Sequence, residues 1–212
     1  MKTALDLFCG GGGASMGIKR AGFDVHGVDI APQGNYPFNI TITNALNLPV
    51  ETLREYDFIW ASPPCQAFSR AATHARRSGI EYPDLINPTR QLLLATGKPF
   101  VIENVPGAPI RKDLMLCGTM FDLKVFRHRY FEIHGFGVKQ PPHHKHNGMT
   151  GSHRCPYRPV NGYVQVTGNM FTLPRGQKAM RIPWIRKKET LAQAIPPAYS
   201  EYICKHLINS NR

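Results

Sequence analysis

A chain of 212 residues with 42% hydrophobic side chains can bury one substantial core, which excludes a wholly disordered protein and favours one domain, with room for a small insertion. Lys and Arg number 26 against 14 Asp and Glu, a formal charge of +12, which points to a polyanionic partner such as nucleic acid, although a merely soluble basic protein carries the same balance. No apolar run reaches the roughly 18 residues of a membrane span, and MKTALDLFCG turns polar and glycine-rich too early for a signal peptide, so a soluble cytoplasmic protein is expected.

TALDLF reads as a first buried strand and residues 14–21 as a helix. DVHGVDI reads as a second strand, NITITNAL as a weaker third, DFIWAS as a fourth and KPFVIENV as a fifth. Between the last two, Leu85, Leu92, Leu93 and Leu94 fall at helical spacing and predict a crossover helix over 85–95. This alternation predicts a doubly wound, Rossmann-like α/β sheet within residues 1–133, and such sheets bind ligands at the carboxyl ends of their strands. The unusual residues gather there: CGGGG after the first strand, Asp29 at the end of the second, Asn44 after the third, PPCQ after the fourth and ENV on the fifth.

Next, FRHRYFEI alternates with strand period, so that Arg127, Arg129 and Phe131 share one face and His128 and Tyr130 the other. Residues 134–175 are rich in Gly, Pro, His and Arg, with little periodicity beyond a short YVQV strand, and read as an irregular insertion. Residues 176–212 end in a helix with Tyr199, Tyr202, Ile203, His206 and Leu207 on one face, expected to pack back on the sheet.

CGGGGASMG misses both familiar phosphate-binding templates. Ile18 stands where a P-loop needs lysine, and Ser15 where the dinucleotide fingerprint needs its third glycine. What remains is a tight glycine turn opening a helix, with Asp29 about twenty residues on, which suits a nucleoside without a pyrophosphate; the same glycines can also serve only to make a tight turn. In PPCQAFS, two prolines stiffen the strand exit that presents Cys65. A lone cysteine is more often a small core residue, but one so framed is a candidate nucleophile. Glu103 sits in the otherwise apolar strand FVIENV, where a carboxyl is costly unless paired or used. It is either a general acid beside the thiol or half of a structural ion pair. The arginines of FRHR can reach a pocket or lie solvated on an edge strand.

The five cysteines, Cys9, Cys65, Cys117, Cys155 and Cys204, contain no CxxC pair, and reduced thiols are expected. His143, His144, His146, His153 and Cys155 match no zinc spacing, so no metal is expected and phosphate or base contacts are favoured for them.

Taken together and in this order, DLFCGGGG, Asp29, PPCQAFS, ENV and RHR resemble the DNA cytosine-5 methyltransferases, over nearly the whole chain. The resemblance implies an S-adenosyl-L-methionine-dependent methyltransferase sheet acting on double-stranded DNA as a monomer. It implies Cys65 as the nucleophile toward cytosine C6, Glu103 as the acid at N3, Arg129 at the cytosine O2 and Arg127 in support. Phe8, Gly10, Gly12, Asp29, Ile30, Asn44, Ala45 and Pro63 would line the cofactor, with Gln193, Ala194 and Ile195 from the element AQAIPPAYSEYI. Gln66, Ser69, Arg70, Arg76 and Arg77, in a basic loop over 66–82, would close on DNA. This chain departs from the family pattern at Asn44, where an aspartate is usual, at Val125, where a glutamine leads the arginine element, and at Gln193, where an asparagine is usual. The target-reading region is reduced to 134–175, which implies a short recognition site and resembles phage-encoded members. An RNA cytosine-5 methyltransferase acting on tRNA, a non-catalytic DNA-binding module and a methyltransferase for free deoxycytidine nucleotides are the competing readings.

Overall fold

The apolar runs form seven strands of one sheet in a computed structural model that describes residues 1–69, 72–143, 146, 162–168 and 170–210. The strands are β1 (Thr3–Leu7), β2 (Asp24–Asp29), β3 (Asn39–Ile42), β4 (Phe58–Ala61), β5 (Phe100–Asn104), β6 (Leu114–Leu116) and β7 (Arg129–His134). Their order is β3-β2-β1-β4-β5-β7-β6. The first five strands run parallel, and β7 is antiparallel to both β5 and β6. Chain direction across the sheet reverses beside β1, between β2 and β4, so the carboxyl ends there splay apart and leave a crevice.

The central strands β1, β4 and β5 are buried along nearly their whole length because both faces are covered, whereas the edge strand β3 is largely exposed. In β4, Phe58 and Trp60 pack into one core layer while Ile59 and Ala61 pack into the other; in β5, Val101 faces the first layer and Phe100 and Ile102 the second. Helix α1 (Gly13–Arg20) and the C-terminal helix cover the first face, and α2 (Val50–Arg54) with α4 (Ile86–Thr96) cover the second. A short helix, α3 (Thr73–Arg77), lies between β4 and α4, inside the stretch read from sequence as a loop. The crossover helix forms as expected, but Leu93 alone of the predicted leucines is fully buried within it, while Leu94 is 47% exposed.

After β7 come α5 (Leu173–Met180), α6 (Lys188–Gln193) and α7 (Pro197–Ser210). The C-terminal helix packs on α1 and buries Tyr199, Ile203 and Leu207, with Tyr202 and His206 half-buried on its flank. Glycine is required on α1 for this approach: a Cβ at Gly13 or Gly17 would collide with the carbonyl oxygens of Ile195 and Pro197. Among the described residues the YVQV segment contributes an isolated bridge from Val164 to Val125, not a strand of the sheet. Among the described residues no helix is long and apolar enough to cross a membrane.

Candidate active site

At the carboxyl edge of β1, the chain turns through Phe8 at φ 59°, a left-handed conformation that a bulky residue adopts only when its surroundings impose it. Gly10 N donates to Asp29 Oδ2 at 2.9 Å and Ala31 N to Oδ1 at 3.1 Å, so the acid at the end of β2 ties down the glycine turn. Trp184 closes the turn from the other side, its Nε1 donating to Gly11 O at 2.9 Å. The result is one wall of a cleft of about 310 Å³ lined by Phe8, Gly10, Asp29, Ile30, Gln193, Ala194 and Ile195 among others. Ile30 is 74% exposed at its mouth, an apolar surface for a flat ring.

Asp6, which the sequence reading passed over, lies beneath this wall. It is buried in β1, accepts a short hydrogen bond from Ser15, and its Oδ1 has no partner among the described residues. Tyr36 donates to Ser15 Oγ at 2.9 Å and completes the network. Burial pushes the Asp6 carboxyl up to about 7, with the nearby Asp29 and Glu103 adding to the effect and the Ser15 hydrogen bonds opposing it. The signal for it was present in the sequence as a lone acid within an apolar strand.

The same cleft continues over β4 and β5, where Pro63, Cys65, Gln66, Glu103 and Arg129 line it. Cys65 is fixed at its position from both sides. Asn104 Nδ2 donates to Pro63 O at 2.9 Å, and the Cys65 carbonyl accepts from Phe68 N at 3.0 Å and Ser69 N at 2.7 Å. The asparagine of the ENV triplet therefore shapes the PPC turn, a function its neighbour Glu103 does not share. Glu103 is buried, and Arg129 Nε stands 2.9 Å from its Oε1. That N–H is not aligned on the oxygen, so the contact is ionic and Oε1 keeps no hydrogen-bond donor among the described residues.

Burial raises the Glu103 carboxyl above its ordinary range, against the pull of Arg129, Arg127 and a Ser62 hydrogen bond. Burial likewise raises the Cys65 thiol; the two arginines lower it and the Glu103 charge raises it. Two groups that repel each other's anions favour a state with one negative charge between them. Thiolate beside carboxylic acid is one such state, and it offers a nucleophile and a proton in a single cleft.

Several expected site residues lie elsewhere. Arg127 precedes β7 instead of belonging to it, so the strand alternation that would have aimed it beside Arg129 does not reach it. It is buried and donates to Val166 O at 2.8 Å and Ala192 O at 2.7 Å, bracing two segments from behind the cleft. Burial, with Arg129 adjacent, lowers it to about 9, yet its charge still acts on Cys65 and Glu103. Asn44 spends its side-chain oxygen on Leu46 N at 3.1 Å, capping a 3-10 turn, and Ala45 is buried in the core against the sheet. Gly12, at φ 76°, shapes the start of α1 without lining the cleft.

Arg76 is committed to the loop itself, donating to Gln66 O at 2.5 Å and Ser69 O at 2.8 Å. Arg77 is exposed, and Arg70 lies outside the described residues, as do His144, His153 and Cys155. Cys9, Cys65, Cys117 and Cys204 are free thiols. Ser62, just after β4, and Glu189 and Thr190, adjacent on α6, also line the cleft and carry no local sequence signal.

The model of the family described as C-5 cytosine-specific DNA methylase matches residues 2–113, just over half of the chain. Two curated relatives are a type II methyltransferase, M.XorII, of Xanthomonas oryzae pv. oryzae, 31% identical over 128 residues, and a type II methyltransferase, M1.HphI, of Haemophilus parahaemolyticus, 33% identical over 119. These matches cover 51% and 49% of this chain but only 29% and 32% of the relatives, so the matched part spans about a third of their length. Among solved structures, a proposed DNA modification methyltransferase encoded within a prophage of E. coli superposes with a TM-score of 0.68 at 17% identity, covering all of both chains. The Entamoeba histolytica methyltransferase EhMeth superposes at 0.69 and 11% identity, covering 100% of this chain and 99% of that one. Both share the fold of this chain.

Proposed function

The chain belongs to the C-5 cytosine-specific DNA methylase family, and on that premise we propose that it methylates C5 of cytosine in double-stranded DNA, using S-adenosylmethionine and a transient bond from Cys65 to C6. The observation that carries this reading is the shared cleft: a conformationally fixed thiol and a buried acid ion-paired to a flanking guanidinium, continuous with the wall formed by Phe8, Gly10, Asp29 and Ile30.

S-adenosylmethionine, when bound, supplies an electrophilic methyl group. The residues present fit it: Asp29 for ribose hydroxyls, Phe8 and Ile30 for the adenine, the unpartnered Asp6 oxygen for an ammonium group, and Gln193, Ala194 and Ile195 along the edge. The residues of this chain then make an unreactive carbon able to accept the methyl group. C5 of cytosine is a poor nucleophile because the ring withdraws its electrons. Addition of the Cys65 thiolate to C6 breaks the C5–C6 double bond and pushes that electron pair toward the ring, where Glu103 delivers its proton to N3. Arg129, which pairs with Glu103 and lines the cleft, would hold the O2 carbonyl. Once C5 carries the methyl group, loss of the C5 proton to water, departure of Cys65 as thiolate and return of the N3 proton to Glu103 restore the ring. The cytosine must leave the helix to reach a cleft of this depth, at a cost of a few kcal/mol. The exposed Arg77 of the basic stretch between Gln66 and Tyr82, together with basic residues in the sequence after β7, would recover that cost through phosphate and base contacts, reading a short site.

The test is a methyl-transfer assay with labelled S-adenosylmethionine, comparing duplex DNA with tRNA and identifying the modified nucleoside by mass. The expected product is 5-methylcytosine in duplex DNA. Label in tRNA alone, or on the exocyclic nitrogen, would overturn the reading.

A further inference from the structure

At the β6–β7 edge of the sheet, away from the cleft, four side chains converge that no single stretch of sequence brings together. Cys117 follows β6 and is buried; His128 lies in the turn before β7; His143 and His146 come from the irregular segment after it. One ligand atom from each lies within 4.8 Å of all the others. Cys117 Sγ and His146 Nε2 are 3.3 Å apart, close to the edge length of about 3.3–3.7 Å that zinc–nitrogen and zinc–sulfur bonds give a tetrahedron. We propose that Cys117, His128, His143 and His146 form a closed zinc site that clamps the segment after β7 onto the edge of the sheet.

Three further features support a cation over a set of hydrogen bonds. His143 stands nearly perpendicular to both His128 and His146, at interplanar angles of 87° and 85°, and the three ring centroids are 5.0–5.3 Å apart. Edge-to-face packing alone is ordinary for rings; what marks this group is that one nitrogen of each imidazole also lies within 4.8 Å of the others and of the Cys117 sulfur. Second, His143 Nε2 is buried with no hydrogen-bond partner among the described residues, an arrangement that costs about 1–3 kcal/mol unless something coordinates it. Third, one thiol and three imidazoles are the donor types zinc takes, and four protein ligands leave no open position, so the site is structural rather than catalytic. The ion would replace the Cys117 thiol proton, which goes to solvent, and bind the imidazoles neutral. His146 is already oriented by a stack that runs through Phe126 to Tyr163, whose ring centroid is 4.2 Å from that of Phe126. Because His128 stands between Arg127 and Arg129, the ion would also fix the turn that carries the cleft guanidinium. The zinc site does not depend on whether the chain methylates DNA.

The test uses the full chain purified without chelator. Elemental analysis is expected to find about one zinc per chain, and replacement by cobalt to give intense tetrahedral d–d bands together with a thiolate-to-cobalt charge-transfer band. Cys117→Ala and His146→Ala should each lose the charge-transfer band or weaken metal affinity by about tenfold or more, while Cys204→Ala, a buried thiol elsewhere in the core, should retain the metal. Should either variant fail to fold, X-ray absorption on the zinc-loaded wild-type chain decides the matter, with one sulfur and three nitrogens expected around the ion. A chain free of stoichiometric metal that binds cobalt only weakly and octahedrally, or a charge-transfer band that survives Cys117→Ala, would overturn the proposal.

Discussion

The cleft over β1, β4 and β5 and the cluster at the β6–β7 edge are built from the same materials, a thiol among polar and basic groups, yet they work in opposite ways. In the cleft, Cys65 is held by backbone hydrogen bonds in the turn that follows it and by Asn104 through the Pro63 carbonyl, while its own sulfur stays open to the cavity. At the edge, Cys117 is buried with its sulfur turned inward on three imidazoles. One site spends rigidity on leaving an atom free; the other spends its atoms on rigidity. The two meet along the RHR turn, where Arg129 faces the cleft, His128 the cluster and Arg127 the packed interior.

The largest effect should come from taking away the open sulfur. Cys65→Ala is expected to lower methyl transfer by about four orders of magnitude or more, with binding of S-adenosylhomocysteine, measured by calorimetry, unchanged. Glu103→Gln should cost about 10²–10⁴ in rate, since an amide cannot deliver the N3 proton. It should also separate the two charges in the cleft. The carboxylate raises the Cys65 thiol, so its removal lowers that pKa and moves the acid limb of the pH–rate profile of the residual activity to lower pH. An acid limb that stays in place would show that the two groups do not share a proton.

Arg127 and Arg129 test the boundary between the two regions. Arg127→Met leaves the carbonyls of Val166 and Ala192 without their buried donor. That should cost about 3 kcal/mol and lower Tm by about 6–12 °C in a chain of this size. Arg129→Met should instead lower kcat with little change in Tm, and equal melting losses in the two variants would erase the distinction drawn here. The smallest effect belongs to Asp6. Its carboxyl is raised to about 7, so it is protonated below that pH and charged above it. A ligand bearing an ammonium group favours the charged form, and S-adenosylhomocysteine affinity should therefore rise, by up to about tenfold, as pH climbs through 7. In Asp6→Asn that pH dependence should vanish.

The cleft was legible in the sequence because a doubly wound sheet delivers successive strand ends to one place. Each strand end is a short contiguous string, so CGGGG, PPCQ and ENV could be read where they stand and assembled by topology. Legibility failed where position depends on exact strand limits. Arg127 looked equivalent to Arg129 by period-2 alternation, but β7 starts at Arg129, and two residues outside a strand the alternation has no meaning. Asn44 and Arg76 failed differently: their chemistry suits a ligand, and local backbone groups claimed it first. The edge cluster was hidden for the reason the cleft was visible. Its four residues come from three separate segments across the antiparallel β6–β7 edge, and searching the histidine-rich stretch for its own spacing could not include Cys117 or His128.

The central claim is that the sulfur of Cys65 bonds to cytosine. It is tested most directly by incubating the chain and S-adenosylmethionine with duplex DNA carrying 5-fluorocytosine, whose C5 fluorine cannot leave as a proton does. A one-to-one adduct that resists denaturant, maps by mass spectrometry to Cys65 and is absent from Cys65→Ser is the expected result. A chain that methylates ordinary DNA yet forms no adduct, or forms it through another cysteine, would contradict the account.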